Sequence, residues 1–265
     1  MVKPKNRYTL IIESIFSHKY KKGDKEVLFE RNDLVQTADK LGISLPKNLG
    51  DVLYSFRYRA CLPESIKKFA PEGLEWVIRP IGKAKYKFSL SSMPRIFPNE
   101  LLAETKIPDA TPGIILRYAM NDEQALLAII RYNRLIDIFT AVTCYSLQNH
   151  LRTTVPEMGQ IETDEIYIGV DQRGAQYVFP VQAKGGSDQL GIVQIEQDFA
   201  LCNSKFTSLI CRPIAAQFIK DNCIALFAFE ENEHGIAVSS EKHYHLVDPE
   251  EMTDDDLQTY RERSF

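Results

Sequence analysis

The chain has 265 residues, of which 44% are apolar and 26% charged, proportions that suit a packed globular protein and exclude a disordered or fibrous one. Its length exceeds the usual range of a single core, and two domains are expected, residues 1–105 and 106–265. Five scattered cysteines without a C-x-x-C pair argue against a disulfide scaffold or structural zinc. The start, Met1-Val2-Lys3-Pro4-Lys5, lacks an apolar signal region, and no apolar run reaches the length of a membrane span, so a cytoplasmic protein with no membrane partner is expected.

The net charge of −4 conceals a split, because residues 1–100 hold 19 Lys/Arg against 11 Asp/Glu, a balance of +8, leaving −12 for the remainder. Phosphate neutralisation supplies most non-specific DNA affinity, so the basic end is the expected nucleic-acid face. Within it, residues 31–43 have apolar spacing suited to a helix capped at Asn32 and ended by Gly42. After Ser44-Leu45, Pro46 can open a second helix running to Arg59. Strands over 74–79 and 83–88 flank Pro80-Ile81-Gly82, with lysines alternating on the second.

Helix, Gly-containing turn, helix and hairpin together resemble a winged helix. That resemblance implies that Lys47, Asn48, Arg57 and Arg59 on the second helix approach the major groove, while Lys83, Lys85 and Lys87 touch backbone phosphates. The alternative is a small helical domain that docks protein. Loop formers at 89–98 and 106–113 then place the domain boundary near residue 105. Beyond it, Asn121-Asp122-Glu123 can cap one long helix over 124–139. A further helical stretch is expected toward His150, with Arg152-Thr153-Thr154-Val155 as a short strand.

Next come two apolar strands, one carrying Glu162, Asp164 and Glu165, the other Gln182-Ala183-Lys184. Between them, Asp171-Gln172-Arg173-Gly174 suits a type I turn with a left-handed glycine, the usual three-residue hairpin loop. Closing it with Asp171 opposite Ala175 puts Asp164 opposite Gln182 and Glu162 opposite Lys184, all on one face. Glu165 then faces the other way with Tyr167, Phe179 and Val181, whereas a one-residue slip would promote Glu165 instead.

An acid on one strand and Gln182-Ala183-Lys184 on the next resemble the PD-(D/E)XK, restriction-endonuclease-like nuclease superfamily, in the Q-x-K form of its Mrr-like branch. The resemblance implies an α/β (α+β) fold, a mixed central sheet flanked by helices, here preceded by the winged helix-turn-helix domain. It implies a metal site of Asp164, Gln182 and the Ala183 carbonyl, with Lys184 orienting water and Glu162 assisting. Mg²⁺ is the implied cofactor, with Mn²⁺ able to substitute. Asp137 is a candidate for the acid that some members add from the leading helix.

Past Gly185-Gly186, Ser187 or Asp188 can cap a helix over 189–202, and strands follow at 209–218, 223–229 and 236–247. Gln194 and Gln197 could face the active centre or DNA from that helix, with an ordinary surface position as the default expectation. His243-Tyr244-His245 could ligate a metal from one strand face, but no third ligand is placed, and the ending suits a terminal helix or acidic tail. The leading expectation is a metal-dependent endonuclease of restriction or host-defence type that hydrolyses double-stranded DNA, and a homodimer would explain cleavage of both strands. The alternatives are a DNA-binding regulator with an inactive nuclease-like domain and a structure-specific, Holliday-junction-type nuclease.

Overall fold

The computed structural model describes residues 6–118, 123–156, 158–185, 189–220, 222–233 and 235–263, with the side chains of Tyr58 and Arg59 set aside. Asn121, Asp122, Ser187 and Asp188, expected as helix caps, lie outside the described residues. The chain forms two compact units, one of Met1–Ile96, Arg152–Ile161 and Gly191–Ser204, the other of Phe97–Leu151, Glu162–Leu190 and Lys205–Phe265. No helix among the described residues is long and apolar enough to cross a membrane.

In the first unit the order is α1 (Arg7–Lys19), β1 (Glu26–Glu30), α2 (Arg31–Leu41), α3 (Gly50–Tyr54), a π-helical turn (Ser55–Arg59), α4 (Glu64–Lys67), β2 (Glu75–Pro80), β3 (Lys85–Ser91) and β4 (Arg95–Ile96). β3 lies between β1 and β2, antiparallel to both. Alternation turns Val27, Phe29, Trp76, Ile78, Tyr86 and Phe88 inward, where they pack with Ile11, Ile12, Phe16, Leu34, Val52 and Ile66 from the helices. α2 ends as expected at Gly42, whose φ of +65° favours glycine. Its start differs: Glu30 and Asp33 form the capping box, so Asn32 is not the cap. The next helix begins at Gly50 rather than Pro46, because the Asn48 side chain takes the Gly50 N–H at 3.0 Å and holds the preceding loop open.

The chain continues through β5 (Glu104–Pro108), α5 (Gly113–Tyr118), α6 (Glu123–Tyr132), α7 (Leu135–Thr140), β6 (Thr143–Val155), β7 (Gly159–Val170), β8 (Gln176–Lys184), β9 (Leu190–Gly191) and α8 (Ile192–Lys205). It ends with β10 (Ile210–Cys211), β11 (Ile214–Phe218), β12 (Cys223–Asn232), β13 (Gly235–Val247) and α9 (Asp254–Glu262). The large sheet runs β5-β13-β12-β11-β8-β7-β6, with β10 beside β8. It is mixed: β8 is parallel to β10 and β11 but antiparallel to β7. α6 and α7 cover one face through Leu126, Leu127, Ile130, Leu135 and Ile136, packed with Tyr167, Phe179, Val181, Ile214 and Leu226.

Several elements depart from the sequence expectations. β5 pairs in parallel with β13, so residues 97–105 join the second unit and the division falls after Ile96. The single helix over 124–139 is broken at Asn133 and Arg134, the latter at a φ of +50°. Buried Asn133 donates to Thr111 Oγ1 at 2.8 Å and Ile129 O at 3.0 Å and accepts the Ala110 N–H at 2.7 Å, which favours a turn over a continued helix. No helix extends to His150, because after Ala141, at a φ of +54°, the β-branched and aromatic run from Val142 enters the 13-residue β6. Leu190–Gly191 forms a strand, so α8 starts at Ile192, and Gln194 and Gln197 are buried rather than exposed.

Within the first unit, Glu196 of α8 meets Arg79 on the outer face of the small sheet, at 2.6 Å from Nη2 to Oε1 and 2.9 Å from Nε. Such a bidentate, charge-assisted pair ties α8 to β2. In the second unit, Gly169 sits where a Cβ would lie 2.6 Å from Val142 Cγ1 and 2.9 Å from Phe179 Cε2. Gly169→Ala is therefore expected to destabilise the fold by about 1–3 kcal/mol through overpacking, measured by urea unfolding.

Candidate active site

The site grows out of the β7–β8 turn. Asp171 Oδ1 accepts the N–H groups of Arg173 at 2.8 Å and Ala175 at 3.0 Å, and Gly174 adopts a φ of +81°. This closes Asp171 against Ala175, and the ladder runs from Val170–Gln176 to Glu165–Val181, the register expected from the turn. Pro180 lies inside a strand buried at every position from Tyr177 to Lys184. It fits because β10 pairs at Tyr177 and Val178 and β11 only from Val181, so no ladder bond to either is lost at Pro180.

Past Val181 side chains, in place of the paired register, join the two strands. Asp164 Oδ2 accepts the Ala183 N–H at 2.8 Å, and Gln182 Nε2 donates to Glu162 O at 3.3 Å. Lys184, almost wholly buried, places Nζ 2.5 Å from Oε1 of Glu123 at the start of α6. Burial pushes the Asp164 carboxyl above its ordinary range, Glu123 and Glu162 push the same way, and Lys184 and the Ala183 N–H oppose them. Asp164, Gln182, Ala183 and Lys184 are therefore brought together. Glu162 is half-buried at the rim, its Oε1 3.8 Å from His150 Nδ1.

Glu165 takes the opposite face. It is fully buried, and its Oε1 receives Arg131 Nε at 3.1 Å and Nη2 at 3.0 Å. Asp137 pairs with Arg134 and accepts the Cys144 N–H at 3.0 Å, so it fixes the α7–β6 connection and does not join Asp164. The helix acid beside the site is instead Glu123, whose signal in the sequence was its place at the head of the apolar-periodic run. Gln217 was also missed. It is the registered neighbour of Lys184 on β11, and its Oε1 is buried with no hydrogen-bond partner among the described residues. A glutamine following Ile214-Ala215-Ala216 was its signal.

The expected DNA-contacting residues divide. Lys47, Lys83 and Lys85 are exposed. Asn48 is committed to the start of α3 through Gly50 N and Asp51 Oδ1, Arg57 is half-buried, and Lys87 pairs with Glu26 at 2.5 Å. The Arg59 side chain lies outside the described residues. His243 and His245 each meet a carboxylate, Glu241 at 2.8 Å and Glu104 at 3.2 Å.

The donors around Asp164 are hard oxygens, the kind a Mg²⁺ ion takes. Among the described residues no three acidic, histidine or cysteine groups stand together as a ready-made metal cage. No family model, curated protein or solved structure matches this chain.

Because the folded state favours protonated Asp164, its contribution to stability falls as pH rises from about 4 through the raised folded value. Asp164→Asn keeps an acceptor for the Ala183 N–H and removes the buried charge. In metal-free buffer it is expected to melt higher than wild type at pH 8, with the difference closing as pH falls toward about 4, measured by calorimetry.

Proposed function

We propose that this chain is a metal-dependent endonuclease acting on double-stranded DNA, with a winged-helix-like basic unit ahead of a PD-(D/E)XK-like, Q-x-K nuclease domain. The observation that carries the reading is the meeting of Asp164, Ala183 and Lys184 where the β7–β8 ladder opens, with Glu123 alongside. Burying a carboxylate and an ammonium there is costly, and a perturbed acid held at such a cost is a mark of a functional site. The restriction or host-defence role comes from the motif resemblance.

Asp164, the Gln182 amide carbonyl and the Ala183 main-chain carbonyl would hold Mg²⁺, or Mn²⁺ in its place, and Glu123 would supply a further oxygen. A bound cation of this kind polarises a phosphate and acidifies water. The Gln182 NH₂ is directed to Glu162 O, which orients its carbonyl oxygen away from that bond. Lys184, now paired with Glu123, would hydrogen-bond the attacking water or the charge developing on phosphate. Gln217 Oε1, beside Lys184 on the neighbouring strand, would accept a hydrogen bond from that water and so orient it. Exposed Lys83 and Lys85 would neutralise duplex phosphates.

One specific observation favours a second reading, a DNA-binding regulator with an inactive nuclease-like domain: Gln182 brings no charge, and Glu123 is already paired with Lys184. Incubating the protein with plasmid, linear duplex and four-way junction DNA in Mg²⁺ or EDTA separates the readings. Cleavage is expected in Mg²⁺ only, and binding without cleavage by wild type would sink the enzyme. Asp164→Ala, Lys184→Ala and Glu123→Gln are each expected to slow cleavage by about a hundredfold or more with DNA binding kept. Lys83→Ala and Lys85→Ala should weaken binding across sequences, each lowering the salt slope by about 1, as fluorescence anisotropy would report.

A further inference from the structure

On the face of β7 opposite Asp164, a cleft of about 330 Å³ opens in the second unit between α6, α7 and the β6–β7 pair. That volume lies at the lower end of small-molecule sites. Buried Ile130 and Ile136 give it apolar walls, and Arg131 and Arg134 line it with side chains that stay 40% and 62% exposed. Tyr167 lines it from β7 and is only 4% exposed, yet its Oη makes no hydrogen bond among the described residues. Burying a hydroxyl in that condition is costly unless an occupant of the cleft bonds it. Burial, and then the charge of Glu165, push the Tyr167 phenol above its ordinary range, so it keeps its proton and asks for an acceptor.

Each arginine is held by an acid. Glu165 Oε1 takes Arg131 Nε at 3.1 Å and Nη2 at 3.0 Å, and Asp137 pairs with Arg134. A guanidinium carries five N–H donors, so these bonds fix its plane and leave others for an occupant. Donors therefore dominate what the cleft offers, two guanidinium groups and a phenol. The acids matter in a second way, because they balance the two arginines, and a site of near-zero net charge favours an occupant with one negative charge over an occupant with two.

We infer that this cleft binds a small monocarboxylate with a compact apolar body. Its carboxylate accepts from Tyr167 Oη and from the remaining N–H groups of Arg131 and Arg134, the planar match that guanidinium groups recognise. Its body lies against Ile130 and Ile136. Arginines already oriented by Glu165 and Asp137 lose little freedom on binding. The cleft uses none of the groups assigned to phosphodiester chemistry, so the inference stands whether or not the chain cleaves DNA.

NMR titration of the full chain at neutral pH in EDTA tests it, with benzoate, benzamide and phenyl phosphate as probes. Benzoate is expected to bind with a Kd of about 1 mM or tighter, and the uncharged benzamide and doubly charged phenyl phosphate about tenfold or more weakly. Tyr167→Phe keeps the ring and removes only the hydroxyl that lacks a hydrogen bond, so it is expected to melt no lower than wild type while weakening benzoate about tenfold. Arg134→Gln, at an exposed position, is expected to weaken benzoate by a similar factor, and it decides the matter should Tyr167→Phe unfold. Absence of benzoate binding, benzamide or phenyl phosphate bound as tightly as benzoate, or a benzoate affinity unchanged in either folded variant would overturn the inference.

Discussion

The bonds that Asp171 makes across its own turn are the constraint on which the rest of the second unit depends. By taking the Arg173 and Ala175 N–H groups they set the closing pair of the β7–β8 hairpin, and a strand period of two carries that choice as far as Glu165–Val181 and so decides which faces Asp164 and Glu165 take. One residue of slip would exchange the two faces, sending Asp164 under α6 and Glu165 to Lys184. The observed register does the reverse. Each buried acid thus feels a different cation, Asp164 the nearby Lys184 through space and Glu165 the Arg131 with which it pairs.

Those two assignments have different energetic characters. Glu165 is fully buried, and its contacts with Arg131 and Ser146 make it a structural strut between β7, α6 and β6. At Asp164, burial and two neighbouring acids outweigh Lys184 and the Ala183 N–H and lift its proton affinity. An acid kept in that condition, beside a lysine that pairs with a further acid, Glu123, is the arrangement in which a perturbed group points to function rather than to packing. The edges of the same sheet differ, for β5 is covered by α9 whereas β6 exposes Tyr145 and Leu147.

Local signals were strong wherever a single short motif decided the structure. The Asp171–Gly174 turn, the Gly42 helix stop, the hairpin of β2 and β3 and the Thr253 capping box before α9 all lie within a few residues of what fixes them. Signals failed where distant groups competed. Asn133 reads as an ordinary position in a long amphipathic helix until Ala110 and Thr111 are brought against it, and their bonds break that helix. The run from Val142 to Asn149 has a mixed pattern, and only its place beside β7 makes it a strand. The basic residues show the same limit, for sequence counts charges but does not reveal that Arg79 is tied to Glu196, Lys87 to Glu26, or Asn48 to the start of α3.

By itself, then, the sequence determined a mixed α+β protein with a basic N-terminal part, and it determined the hairpin register that puts Asp164, Gln182 and Lys184 together. The reason is that turn chemistry and period-two alternation are local, and they propagate along a strand without help. Tertiary structure alone decided that Glu123 rather than Asp137 stands at the site, that Gln217 lies next to Lys184, and that residues 97–105 belong to the second unit. Each of these depends on pairings between segments far apart in the chain, and the packing that selects among them is fixed only when the whole sheet is assembled.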